Sequence, residues 1–114
     1  MEQGYKKLIV WQKSIELVVQ IYELSSILPK NEQYGICSQI QRAAVSIPSN
    51  LAEGSRKLSK KEKQHFCRMA FGSASELETQ IEILKRLPFS KENDFTKIEN
   101  LLNEVLRMLN KMSY

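Results

Sequence analysis

The sequence predicts an all-α fold, an antiparallel up-and-down four-helix bundle forming a single domain over residues 1–114. Three observations lead there. Apolar residues recur at mixed +3 and +4 spacing through four segments. The segments are of comparable length and are separated only by short turns, marked by Pro29, residues 54–59 and Pro88. Glycine (4) and proline (3) are too scarce for a chain of strands and turns or for a disordered one.

Helix one is expected over 8–28 and ends at Pro29. Trp11, Ile15, Val18 and Tyr22 form the expected buried stripe, and Leu17, Ile21, Leu24 and Leu28 repeat the spacing about 100° further round. This face is wider than one seam of a bundle needs. The surplus has two readings: a subunit interface through Leu17, Ile21 and Leu24, or one broad face packed on two neighbouring helices.

Helix two is expected over 32–57, with Asn31 capping its first turn and Glu32 near the positive end of the helix dipole. Pro48 lies inside it. Residues on both sides of the proline keep one angular register, which favours a continuous helix kinked there over a loop. Ile36, Ile40, Ala43, Ile47 and Leu51 make its apolar arc. Beside that arc, Gln39, Arg42, Ser46, Asn50 and Glu53 share roughly 80° of the circumference.

Helix three is expected over 60–87. It opens on the capping box Ser59-Lys60-Lys61-Glu62 and is stopped by Pro88. Phe66, Ala70, Ser73 or Ala74, Leu77, Ile81 and Leu84 carry its core face, while Ser73, Glu76 and Gln80 form a second polar stripe. Two such stripes can meet. The expectation is a buried hydrogen-bonded layer in which Arg42, Ser46 and Asn50 reach Glu76 or Gln80, with Gly72 and Ala43 letting the backbones approach. Helix four is expected over 91–112, capped by Ser90, with Phe95, Ile98, Leu102, Val105, Leu109 and Met112 as the cleanest seam.

The net charge of +4 is concentrated. Residues 55–68 hold Arg56, Lys57, Lys60, Lys61, Lys63 and Arg68 against Glu62, a net +5, while the other 11 basic and 12 acidic residues net −1. Such a patch attracts a polyanion, so these six are the candidate nucleic-acid-binding residues. The bland reading is a solvated turn whose lysines keep the protein soluble.

No residue set adds up to a catalytic centre, and the expectation is a protein that is not an enzyme and uses no cofactor. His65 is the single histidine, and Glu62 to His65 gives one Glu-x-x-His where a carboxylate-bridged di-iron bundle needs two. Cys37 and Cys67 lack the paired spacing of a zinc site and read as small hydrophobes. No metal site is expected. Glycine-rich phosphate loops and nucleophile elbows are missing too. No apolar run reaches the roughly 18 to 20 residues of a membrane span, and the N-terminus lacks a signal peptide's apolar core, so a cytoplasmic protein is expected.

Three motifs carry a resemblance over nearly the whole chain: L-x-VWQKS at 8–14, RAAVSIPSNLAEG at 42–54 and GSASELETQ at 72–80. In order, spacing and residue type they resemble the four-helix-bundle proteins encoded in intervening sequences of bacterial 23S ribosomal RNA genes. That family is also similar to the accessory variability protein of diversity-generating retroelements. The resemblance implies a bundle that assembles into a homopentamer and, for the retroelement relatives, a basic surface engaging RNA or DNA and a reverse transcriptase. Some family members carry a ribosomal-protein label that reflects where certain genes sit, and it is not carried over. Fivefold repetition would multiply a weak patch by avidity. A scaffold that binds a protein partner and no nucleic acid is the alternative.

Overall fold

A computed structural model describes residues 4–112. Four helices follow a short 3-10 turn at Gly4–Lys7: α1 (Ile9–Ile27), α2 (Ile36–Ser55), α3 (Lys60–Arg86) and α4 (Thr96–Met112). Successive helices pack on one another and α4 closes against α1, giving the up-and-down ring of a four-helix bundle. The molecule measures 46 × 25 × 20 Å. At 1.5 Å per residue α3 is about 40 Å long, so the helices run along the long axis.

α1 turns a different face to the core than its spacing predicts. Its stripe of Val10, Ser14, Leu17, Ile21, Leu24 and Leu28 is buried, whereas Ile15 and Tyr22 are exposed and Trp11 and Val18 are only half-buried. Leu17, Ile21 and Leu24 therefore lie in the chain's own core, at 0%, 0% and 6% exposure, and cannot form a subunit interface while the bundle is intact. Ser14 explains the misreading. It breaks the apolar run at the centre of the core face, yet its hydroxyl donates to the Trp11 carbonyl at 2.7 Å, so its burial leaves no polar group unmatched. Ser25 does the same with the Ile21 carbonyl at 2.8 Å.

α2 is unbroken through Pro48, which is itself buried. A proline leaves the helical ladder one bond short. Two residues on, the Asn50 amide adds a side-chain bond to the Ser46 carbonyl at 2.8 Å. The helix begins at Ile36, four residues later than expected, because Lys30–Glu32 forms a separate 3-10 turn and Asn31 makes no cap. Burial raises the Cys37 thiol pKa above its usual value, helped by the negative charge of Glu32 and opposed by a contact with Ser25. A thiol held protonated behaves as a small hydrophobe.

α3 starts where its capping box predicts: Ser59 Oγ accepts the Glu62 amide at 3.0 Å. The glutamate carboxylate takes the Ser59 hydroxyl at 3.2 Å, so only half of the reciprocal box forms. α4 starts at Thr96 instead of residue 91. Ser90 is buried and turns back to α3, donating at 2.6 Å to the Leu84 carbonyl, which also accepts the Leu87 amide at 3.3 Å. Asp94 takes over at the α4 start by accepting the Thr96 amide at 3.0 Å, and this bond lowers its carboxyl pKa.

Candidate nucleic-acid interface

α2 and α3 form the most extensive helix pair in the bundle. Near the C-terminal end of α2, an added Cβ on Gly54 would lie 2.8 Å from the Phe66 Cβ, a separation that real contacts do not reach. Gly54 is thus the glycine that permits close approach. Gly72 is exposed, and a Cβ there would meet nothing within 4 Å, so its expected role in the helix seam does not hold.

The two polar stripes do meet, but through a smaller set of residues than expected. Ser46 Oγ and Ser73 Oγ lie 2.8 Å apart across the helices, and Asn50 Nδ2 donates to Ser46 Oγ at 3.0 Å. Arg42 and Glu53 are exposed, and among the described residues Arg42 has no carboxylate within 4.0 Å. The expected tie from Arg42 to Glu76 or Gln80 therefore does not form. Arg42, Ser46, Ser73 and Glu76 instead line an open cleft. Water there solvates the charges that a sealed layer would have had to pair. Gln80 is the buried member, donating to Glu76 at 3.4 Å while its Oε1 finds no partner among the described residues. An unmatched buried acceptor costs about 1–3 kcal/mol.

The six basic candidates divide into two groups at the α2–α3 corner. Arg56, Lys57 and Lys63 line one shallow cleft of about 670 Å³ together with Tyr5, Leu8 and Leu58. Arg56 lies over the Tyr5 ring at 5.8 Å, Lys57 lies over the Phe66 ring at 5.3 Å, and Lys63 Nζ donates to the Ser55 carbonyl at 3.2 Å. These three cations sit at the negative end of the α2 dipole, which favours them. Lys60, Lys61 and Arg68 are exposed on α3 outside that cleft. Lys61 and Arg68 are seven residues apart, about 10.5 Å and two turns along one face. Among the described residues none of the six forms an ion pair with a carboxylate.

Tyr5 and Leu58 were not among the residues read from the sequence. The Gly4–Lys7 turn packs against α2 and brings Tyr5, flanked by the exposed Lys6 and Lys7, to the basic corner. Its edge-on contact with Trp11, at 5.5 Å between ring centres, holds it there. A tyrosine beside two lysines ahead of a helix is a signal that could have been noticed, but only the fold shows which corner it joins.

This geometry defines a class: a four-helix bundle with a cationic, aromatic corner, no cluster of three or more metal-ligating side chains among the described residues, and no described helix long and apolar enough to cross a membrane. The family follows from the sequence. The profile of the 23S rRNA-intervening sequence protein family matches residues 6–111, and the chain belongs to that family. It is also similar in fold to a solved protein from Bacteroides thetaiotaomicron, described as a protein of unknown function from the S23 ribosomal protein family. The two share 24% identity and a TM-score of 0.82 over 92% of this chain and 98% of that one. No curated protein matches the sequence.

Proposed function

We propose that this protein is a non-enzymatic, cytoplasmic, oligomeric scaffold that binds the phosphate backbone of RNA or DNA at the α2–α3 corner. One observation carries the reading: Lys60 and Lys61 occupy the first turn of α3 with only Glu62 to offset them, at the helix end that already bears about half a positive charge, whereas Lys63 reaches back to the Ser55 carbonyl. Helix stability favours acidic residues there, so this placement works against the fold and in favour of an anionic ligand. Lysine-rich contacts of this kind position a backbone and read little sequence.

Self-association is part of the proposal, with its surface reassigned. Ile15, Val19 and Tyr22 follow one another at +4 and +3 on α1 and are 36%, 49% and 48% exposed. An apolar stripe of this kind marks an interaction surface. The resemblance makes a homopentamer the expected assembly. The same stripe supports the competing reading, in which a protein such as a reverse transcriptase docks on the bundle and the lysines serve solubility.

Fluorescence anisotropy with a structured RNA at several salt concentrations tests the nucleic-acid reading. Affinity should fall steeply with salt, and Lys60→Gln with Lys61→Gln should flatten the log–log slope by about 2. No binding at low salt, or binding indifferent to salt, rejects it. A partner that survives nuclease treatment in a pull-down supports the competing reading.

A further inference from the structure

The corner holds more than charge. Leu58 is 98% exposed, directly after Lys57, and Leu8 and the Tyr5 ring line the same cleft as Arg56 and Lys63. Phosphate oxygens gain nothing from these apolar groups, and water disfavours their exposure. A nucleobase, by contrast, has two flat apolar faces, and binding sites for single strands pair a cationic track with side chains on which bases stack. Arg56 already contacts an aromatic ring: its guanidinium carbon lies 5.8 Å from the Tyr5 ring centre, and the residue is exposed. An exposed guanidinium beside an aromatic ring offers a planar cation to a further ring, and arginine planes stack unpaired bases. The cleft, about 670 Å³, is within the roughly 300–1,000 Å³ of small-ligand sites.

We infer that the Tyr5–Arg56–Leu58 cleft receives an unpaired base, so that the ligand of this corner is a single-stranded segment of nucleic acid. The inference rests on the backbone-binding reading above and narrows it. Lys57 and Lys63 hold the phosphates that flank the base, and the apolar floor holds the base itself. A fully paired duplex presents the same phosphates but keeps its base faces stacked inside, so it engages only the cations.

Three labelled oligonucleotides of equal length separate the possibilities at low salt: an unpaired RNA strand, the same strand annealed to its complement, and a strand whose central positions are abasic. The unpaired strand is expected to bind about tenfold more tightly than the abasic one. Leu58→Ser should remove most of that advantage while leaving abasic-strand affinity within about twofold. Because Leu58 is almost wholly exposed, its replacement leaves the bundle intact. Tyr5→Ala should act in the same direction, with helicity by circular dichroism reporting whether the N-terminal turn has cost the fold anything. Equal, salt-sensitive binding of all three ligands overturns the base-binding inference and leaves the backbone reading standing. Failure of all three to bind overturns both. A Leu58→Ser protein that keeps the full preference for the unpaired strand also overturns the inference.

Discussion

α1 presents two apolar stripes of similar composition, and they have opposite fates. Leu17, Ile21, Leu24 and Leu28 are sealed between α2 and α4, whereas Ile15, Val19 and Tyr22 remain on the surface. The difference lies in what each stripe faces. A helix in a four-membered ring has two neighbours, and only the stripe centred between them is covered. Periodicity reveals that a stripe exists and cannot say which of two lies over the centre. Here the inner one contains Ser14 and Ser25, polar residues whose self-bonding to the backbone hides them from a hydrophobicity count.

The sharpest way to break this comparison is a change at Leu17. Leu17→Ala should cost about 3–5 kcal/mol by urea denaturation, since it removes a fully buried side chain and leaves a cavity. A charge at the same site should unfold the bundle, where a subunit-interface role would have left helicity untouched. A loss below about 1 kcal/mol would show that the inner stripe is not core.

A second pair of look-alike residues sharpens the lesson with a smaller effect. Gly54→Ala drives a methyl against Phe66 and should destabilise by about 1–3 kcal/mol. Gly72→Ala enters open space inside a helix and should stabilise by about 0.4–1 kcal/mol, read as a small rise in Tm. Two losses of equal size would contradict the assignment of the close approach to Gly54.

The smallest effect on stability belongs to the outer stripe. Val19→Lys with Tyr22→Lys should change unfolding free energy by no more than about 0.5 kcal/mol per site. In sedimentation, however, it should shift the protein toward a monomeric mass. Unchanged mass in both the parent and the variant would remove that stripe from any assembly.

Much of the fold was legible where a helix end had a local chemical cause. Ser59 marked the start of α3, Pro88 marked its end, and the α2 apolar arc of Ile40, Ala43, Ile47 and Leu51 is buried as its spacing predicted. The errors arose where a side chain chose between two partners. Ser90 was read as the cap of the following helix and instead bonds back to the preceding one, a preference set by tertiary packing. The expected burial of Arg42 rests on its polar stripe meeting that of α3, and the cleft between α2 and α3 opens where it sits. For the candidate site, the six cations were visible as a charge run, but their division into two groups was not. Tyr5 joins the corner through a contact spanning some fifty residues of sequence, which no local pattern encodes.

The contact between Gly54 and Phe66 has a mechanical consequence. With no side chain to act as a cushion, α2 and α3 are locked against sliding at the level where the chain reverses, and the Ser46–Ser73 bridge clamps them again further along. The cationic corner is thereby mounted on a rigid hairpin, so a ligand docking there meets a shape set in advance, and the ordering cost of the encounter falls on the ligand's own chain.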